Sequence, residues 1–299
     1  MKLGIYRLSD LLDKPALKSL EAEYGADFSI LSFYRAWNRC SIEDDLPWLR
    51  AVMASSRDIL LTWEPWRIPP QPCSPENQSD FSLKHITSGL YDSYIKAFAS
   101  TLALFRRTVF LRPMHEMNGF WYPWCGTVNR NNPEEFIQTW DYIKRLFREE
   151  GASNVRWVWS PYRSSHPDTA ENSICSYFPG DDKLDVIALD GYNWGTSIEW
   201  GKWQSFNDLF GEAYDTITAL STKDVIIAET GCSESGGDKA EWISEMFSIL
   251  PSRFERIKAL VWFDIDKECD WRIASTESSL NAFRNGASGI ASKHLSNSV

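Results

Sequence analysis

The sequence lacks the short motifs that mark nucleotide-binding, zinc-binding and membrane-spanning proteins. Its 299 residues contain no Cys-x-x-Cys pair, no glycine-rich phosphate loop of the GxGxxG or GxxxxGKS/T type, and no apolar run of membrane-spanning length. Histidine is also scarce, and His85, His166 and His294 are not spaced as metal ligands. We therefore expect no cofactor and no bound metal.

Basic residues are outnumbered by acidic ones. Lys and Arg total 31 against 41 Asp and Glu, which gives a formal net charge of -10 and a pI near 5.0. An acidic surface repels phosphate backbones and anionic lipids, so we expect neither nucleic acid nor a membrane as partner. A neutral ligand and a monomeric chain fit this composition.

The cysteines and the amino terminus bear on the compartment. Six cysteines are widely spaced, which predicts reduced thiols rather than a disulfide framework or a zinc site. The first residues have no apolar run or cleavage site typical of a secretory signal. The sequence is thus compatible with a cytoplasmic protein, or with a secreted one whose leader has been removed.

Tryptophan is abundant. The chain has 15 Trp, and aromatic residues make up 14% of it, more than core packing usually requires. The flat, apolar face of an exposed indole ring suits stacking on a pyranose ring. This composition favours a carbohydrate ligand.

Short apolar runs alternate with amphipathic stretches along the whole chain. The runs predict eight strands, over residues 3–7, 28–33, 59–63, 109–112, 155–160, 186–190, 225–229 and 257–263. The amphipathic stretches predict helices over residues 15–24, 47–55, 89–105, 133–150, 206–221 and 239–250, and from residue 277 onward.

This alternation predicts an α/β fold, and eight units in one chain predict a single-domain (β/α)₈ TIM barrel. An open doubly wound sheet is the alternative. We expect one catalytic domain over residues 1–299, since no linker or repeat divides the chain, with the last dozen residues as a disordered tail.

In such a barrel the active site lies at the carboxyl ends of the strands. Two glutamates stand there, Glu116 after the fourth strand and Glu229 at the end of the seventh. Retaining glycosidases need two carboxyl groups about 5 to 5.5 Å apart, one as nucleophile and the other as acid and base. The pair therefore predicts sugar hydrolysis on a polysaccharide or oligosaccharide.

Other side chains at the strand ends are candidates for binding the sugar. The ones predicted to contact it are Glu64, Trp66, His115, Trp121, Trp124, Trp159, Tyr192, Trp194 and Trp262. Trp157 and Trp159 share one strand face, and of these we expect only Trp159 to face the cleft. Arg112 and Asp190 are predicted to support the site, although Arg112 could equally form a structural ion pair inside the barrel.

An acidic segment over residues 264–270 superficially resembles a calcium loop. It lacks the glycine and the distant glutamate of an EF-hand. We expect its acids to form a rim that binds sugar hydroxyls.

Five segments together resemble glycoside hydrolase family 26, within the clan of (β/α)₈ retaining enzymes. They are Met114-His-Glu-Met-Asn-Gly119, Trp121-Tyr-Pro-Trp124, Trp157-Val-Trp-Ser-Pro161, Asp190-Gly-Tyr192 and Ala228-Glu-Thr-Gly231. The resemblance implies that Glu116 is the acid/base and Glu229 the nucleophile. It also implies that His115 positions the sugar or the nucleophile, that Tyr192 hydrogen-bonds the nucleophile, and that Trp121 and Trp262 line the cleavage subsites.

One departure from this family concerns the substrate. Many mannan-cleaving members have a histidine after the third strand, where this chain has Glu64. We therefore predict an endo-β-glycanase acting on mixed-linkage β-1,3-1,4-glucan ahead of β-1,4-mannan. A transglycosylase or exopolysaccharide-processing glycosidase, and a non-catalytic glycan-binding barrel, are the alternatives.

Overall fold

Eight parallel strands close into a barrel. The computed structural model describes residues 1–8, 11–68, 78–105 and 107–296, with side chains as far as residue 290. The strands follow one another around the barrel in chain order. They are β1 Lys2–Tyr6, β2 Phe28–Ala36, β3 Asp58–Glu64, β4 Val109–Pro113, β5 Val155–Trp159, β6 Val186–Asn193, β7 Val225–Cys232 and β8 Ile257–Phe263.

Helices connect most of these strands. They are α1 Lys14–Tyr24, α2 Ile42–Met53, α3 Leu83–Thr87, α4 Asp92–Leu104, α5 Pro133–Glu149, α6 Phe206–Leu220, α7 Lys239–Arg253 and α8 Glu277–Ser296. The connection from β5 to β6, all of it described, has two short 3₁₀ turns, Ile174–Tyr177 and Asp181–Lys183, and no α-helix. The predicted (β/α)₈ barrel is confirmed, and its closure excludes the open sheet.

Helix α5 shows how sequence signals set an element. The side chain of Asn132 accepts a hydrogen bond from the Glu135 amide at 3.0 Å, and Pro133 opens the first turn. The buried side chains recur at helical spacing, at Phe136, Thr139, Trp140, Ile143, Leu146 and Phe147. The helix ends at Glu149, one residue before its predicted end.

Two helix starts differ from the sequence prediction. Helix α2 begins at Ile42 rather than at residue 47, because Ser41 caps it by accepting a hydrogen bond from the Asp44 amide at 3.3 Å. The predicted helix over residues 89–105 begins only at Asp92. Gly89 has a φ of 89°, a left-handed conformation that separates α4 from the short α3.

The chain forms two compact units. The first comprises Met1–Ser32, Leu189–Asp215 and Asp224–Val299, and the second comprises Phe33–Ala188 and Thr216–Lys223.

Helix α8 is described as far as Ser296, so the predicted tail falls partly on residues outside the described ones. In the described part of the chain, no helix combines the length and apolarity needed to cross a bilayer.

The core of the second unit is built around Trp63 on β3. Its ring is fully buried, stacks on Phe98 of α4 at a centroid distance of 4.6 Å, and lies 4.7 Å from the ring of Trp37. Its indole N–H donates to the Tyr94 hydroxyl at 3.4 Å. Trp63 thus joins a barrel strand to the helix outside it.

Replacing Trp63 with alanine is expected to lower the free energy of unfolding by about 3–5 kcal/mol, because the cavity cannot be refilled by its ring neighbours. Urea denaturation measures this loss. Leu104→Ala, at a side chain that is 80% exposed, is the control and is expected to change stability by less than about 0.5 kcal/mol. Equal, small losses in both variants would contradict the central position of Trp63.

Candidate active site

Glu116 occupies an unusual backbone position just beyond β4. Met114 and Glu116 have φ values of 51° and 53°, in the left-handed region that few residues other than glycine adopt. The Glu116 amide donates to the Ser160 carbonyl at 2.8 Å, and the Glu116 carbonyl accepts from the Gly119 amide at 3.0 Å. These bonds hold a conformation that costs free energy, as is common at functional sites.

The Glu116 carboxyl group is oriented by Trp121. The indole Nε1–H of Trp121 donates to Glu116 Oε2 at 2.5 Å, and the carboxyl is almost fully buried. Gly119 makes this possible, since a Cβ there would lie 2.6 Å from the Trp121 ring. The Trp121 ring is half-buried, so one part of it remains open to a ligand.

His115 lies in a cluster of rings. It is buried, 4.8 Å from the Tyr122 ring and 6.1 Å from the Tyr34 ring. Tyr122 stacks on Trp124 at 4.3 Å, and the Trp124 indole donates to the His115 carbonyl at 2.7 Å. This packing fixes the backbone at the residue next to Glu116.

Trp66 and Tyr34 complete the cluster. The half-buried ring of Trp66 lies edge-on to Tyr122 at 5.4 Å. Tyr34, at the end of β2, accepts a hydrogen bond from Arg112 at 3.2 Å. Tyr34 was not predicted as a site residue, because its local sequence does not show which distant side chains it will contact.

Arg112 is a fully buried guanidinium on β4. Its Nε and one terminal nitrogen donate to the Thr62 hydroxyl at 2.9 and 2.7 Å, and its other terminal nitrogen donates to the Ser160 hydroxyl at 3.3 Å. Arg112 therefore ties β4 to β3 and to the segment that follows β5.

Two asparagines fasten the long loop after β4. Asn118, fully buried, donates to the Tyr162 carbonyl at 2.9 Å and accepts from the Tyr162 amide at 2.8 Å. Asn131 donates to the carbonyls of Pro123 and Cys125 at 2.8 and 3.0 Å. Neither was assigned a role from the sequence, although loop asparagines often satisfy backbone groups in this way.

In the first unit, Glu229 has its own aromatic surroundings. It lies in β7, is almost fully buried, and accepts a hydrogen bond from the Tyr192 hydroxyl at 2.5 Å. The Tyr192 ring is half-buried and lies 4.9 Å from Trp271 and 5.5 Å from Phe263. Phe263 in turn stacks on Tyr6 at 4.8 Å. The hydrogen bond to Tyr192 is the contact that the resemblance implied.

Lys239 lies buried behind this group. Its ammonium donates to the carbonyls of Asp270 and Arg272 at 3.3 and 2.8 Å, and to the Ser275 hydroxyl at 2.7 Å. These two carbonyls flank Trp271 in the chain. Lys239 therefore fixes the backbone on both sides of the ring that packs on Tyr192.

Trp262 is placed differently from the prediction that it lines the cleavage subsites. Its ring is fully buried and packs against Trp242 of α7 and Phe283 of α8. Its N–H donates to the Trp271 carbonyl at 2.7 Å. Because side chains alternate along a strand, Trp262 faces the helices, and it is the next residue, Phe263, that contacts Tyr192.

The same alternation places Trp159 away from the cleft position predicted for it. Trp157 packs against Trp140 and Phe147 of α5, and Trp159 on the same strand face is fully buried against Phe178. Trp124 is also fully buried. Of the other rings predicted to contact sugar, Trp66 and Trp121 in the second unit and Tyr192 and Trp194 in the first retain exposed surface.

The acidic segment differs from the expected rim of sugar-binding acids. Asp264 is buried, where it accepts hydrogen bonds from Tyr24 at 2.9 Å, Arg7 at 3.0 Å and the Ile273 amide at 2.6 Å. Asp270 is paired with Arg272 at 2.5 Å. Across the described ranges, no group of three His, Cys, Asp or Glu side chains is arranged to hold a metal ion. The segment fastens the loop after β8.

The two predicted site residues not yet described, Glu64 and Asp190, belong to barrel strands. Glu64 ends β3 and is 5% exposed, and its carbonyl accepts from the Trp37 and Trp66 amides at 2.8 Å each. Asp190 is fully buried in β6. Glu116 in the second unit and Glu229 in the first are buried carboxyl groups, each oriented by a hydrogen bond from an aromatic side chain, and such groups are suited to proton transfer and nucleophilic attack.

Comparison with known proteins places this geometry in a family. The model of Glycosyl hydrolase family 26 matches residues 86–268, a span that includes both glutamates. Endoglucanase H of Acetivibrio thermocellus is 35% identical over 278 residues, which are 90% of this chain and 28% of that protein. A mannan endo-1,4-beta-mannosidase of Bacillus subtilis is 30% identical over 152 residues, which are 48% of this chain and 37% of that protein.

The chain thus spans less than half the length of these curated relatives. Among solved structures, the β-mannanase BoMan26A of Bacteroides ovatus matches with a TM-score of 0.67 at 18% identity, covering 96% of this chain and 88% of that one. At that identity the likeness shows the fold.

The buried ammonium of Lys239 is expected to make the stability of the fold depend on pH. Burial lowers the pKa of its ammonium below the ordinary 10.5, with Glu234 opposing the shift. Between the lowered pKa and 10.5, the unfolded chain holds a proton that the folded chain has released. Stability is therefore expected to rise with pH through this window and to level off above it. Urea midpoints measured from pH 7 to 10.5 check this.

Lys239→Met is the matched control, because it removes the titrating group and keeps an unbranched side chain. Its stability is expected to lack this rise. Parallel pH curves for the wild type and the variant would contradict the lowered pKa.

Proposed function

The chain belongs to glycosyl hydrolase family 26, and on this basis we propose that it is a retaining endo-β-glycanase acting on a neutral polysaccharide. The observation that carries the proposal is shared by Glu116 and Glu229. Glu116 lies just beyond β4 and Glu229 lies within β7; each is almost fully buried, and each accepts a 2.5 Å hydrogen bond from an aromatic side chain.

The two glutamates have separate tasks. Glu229 attacks the anomeric carbon and forms a glycosyl ester, while Glu116 gives its proton to the departing glycosidic oxygen. Glu116 then takes a proton from water, and the oxygen of that water attacks the anomeric carbon, which breaks the bond to Glu229 and releases its carboxylate. Tyr192 holds the Glu229 carboxylate in one orientation during the attack.

The side chains around Glu116 suit sugar binding. The half-buried Trp121 ring lies beside the carboxyl group that protonates the leaving oxygen, so it offers a stacking face to the adjoining sugar. His115 is held by Tyr122 and Trp124, and a fixed imidazole can position a sugar hydroxyl. Trp66 offers a further half-exposed ring in the same unit, and Trp194 offers one in the first unit.

The substrate class is a β-linked glucan, with mannan second. The relative that covers most of this chain is named an endoglucanase, whereas the Bacillus subtilis mannosidase matches only 48% of the chain. Glu64 at the end of β3 also favours a glucan, because it stands where many mannan-cleaving members of the family have a histidine.

The chain acts as a single catalytic domain and a monomer, without cofactor, nucleic acid or membrane partner. A net charge of -10 supports the absence of a nucleic-acid or membrane partner, since it disfavours binding to polyanions. The polysaccharide is its partner in solution.

Glu116→Ala and Glu229→Ala are each expected to lower kcat at least about a hundredfold, because each removes a group required in the transition state. Release of reducing ends from polysaccharide measures the loss. Substrates with a dinitrophenyl leaving group, which needs no proton, should restore part of the first step in Glu116→Ala and none in Glu229→Ala.

Asp141→Ala, on the solvent side of α5, serves as the control for the acidic substitutions, and unchanged circular dichroism shows that each variant folds. Near-normal hydrolysis by either glutamate variant would overturn the proposed roles.

A panel of four polysaccharides tests the substrate class. Mixed-linkage β-glucan is expected to give the highest kcat/KM, with β-1,4-mannan next and β-1,3-xylan and xyloglucan below them. Reducing-end assays supply the ranking, and added acceptor sugars reveal any transglycosylation. Mannan ahead of glucan would overturn the substrate class, and indifference to all four would favour an exopolysaccharide substrate.

A further inference from the structure

The loop between β6 and α6 is held closed by a buried asparagine. Asn193 is fully buried, and its side-chain oxygen accepts from the Gly195 amide at 3.3 Å and the Gln204 amide at 3.1 Å. Its side-chain nitrogen donates to Cys232 Sγ at 3.3 Å, which ties it to the end of β7. One side chain therefore joins both ends of this loop to the strand that contains Glu229.

Close contacts also fix the loop to the segment after β7. Gly195 has a φ of 53°, and a Cβ there would lie 1.7 Å from the Ser235 carbonyl oxygen. The Thr196 amide donates to the same oxygen at 3.0 Å. The Trp203 ring lies so near Gly237 that a Cβ there would approach it to 2.2 Å. The loop has a defined shape.

This ordered loop holds Trp200 in solvent. Trp200 is 73% exposed, and its only described ring neighbour is Trp194, at a centroid distance of 5.4 Å. Trp194 is half-buried, lies edge-on to Trp271 at 4.7 Å, and is 6.3 Å from Tyr192. The rings of Tyr192, Trp194 and Trp200 thus form a continuous row that begins at the Glu229 hydrogen bond and ends in solvent.

We propose that Trp194 and Trp200 form an outer sugar subsite, in which Trp200 binds a sugar ring of the same polysaccharide beyond those at the cleavage point. The inference rests on the proposed function and deepens it. Large aromatic rings stack on flat apolar surfaces. The C–H face of a β-linked pyranose is such a surface.

The position of the row supports this occupant. An isolated exposed ring would not indicate which ligand it binds. Trp200, however, contacts Trp194, which lies next to Tyr192, and Tyr192 hydrogen-bonds the proposed nucleophile. A chain held at the cleavage point by Tyr192 would extend along the same row. Trp200 thereby favours long substrates over short ones.

The test compares Trp200→Ala with the wild type on substrates of two lengths. The KM for mixed-linkage β-glucan is expected to rise about tenfold, whereas the KM for an aryl β-disaccharide should rise far less. Trp200→Phe keeps a stacking face and should recover most of the loss. Leu104→Ala, which removes an equally exposed apolar side chain from the second unit, is the control and should behave as the wild type.

The outcomes separate this inference from the function on which it rests. If the wild type cleaves β-glucan and Trp200→Ala has the same KM for it, the outer subsite is overturned and the glycanase stands. An equal rise in KM for both substrates also overturns it, since Trp200 would then act at the cleavage point. If the wild type cleaves none of the polysaccharides in the panel, the proposed β-glucan substrate and the inference both fall, and an exopolysaccharide substrate is favoured.

Discussion

The hydrogen bond from the Glu116 amide to the Ser160 carbonyl is the constraint on which the geometry around Glu116 in the second unit depends. A glutamate with positive φ is costly on its own, so the conformation persists only where neighbouring groups determine it. Asn118 binds the Tyr162 backbone two residues beyond Ser160, and Arg112 binds the Ser160 hydroxyl, so the same segment after β5 is fixed three times. The carboxyl group is then left with little freedom, and Trp121 orients what remains.

The first unit reaches the same result by a different route. Glu229 lies within β7, whose register with β8 shifts between Ile227 and Thr230, and its φ is not positive. Its orientation comes from a chain of contacts in which Lys239 holds the backbone around Trp271, Trp271 packs on Tyr192, and Tyr192 donates to Glu229. A buried ammonium is expensive, but here it has three oxygen acceptors. One carboxylate is thus set by backbone geometry and the other by side-chain packing.

The barrel and both glutamates were predictable because their signals are local. Apolar runs of strand length, the Asn132 cap and a glutamate just past an apolar strand can each be read within a few residues. The family prediction, drawn from several such segments, is confirmed. Trp262 and Trp159 were misplaced because alternation near a strand end decides the face, and a shift of one residue reverses it. Tyr34 and Lys239 could not be identified, since their partners lie far away in the sequence. The roles of the site residues stay predictions.

The cysteines have a consequence for where this fold can exist. Five of the six, Cys40, Cys125, Cys175, Cys232 and Cys269, are free thiols, and Cys73 lies outside the described residues. Burial raises the pKa of the Cys40 thiol to about 11 and raises that of Cys232 to about 12, so at neutral pH these two are protonated and poorly reactive. The five described cysteines form no disulfide, so a reducing medium is not expected to destabilise the described structure.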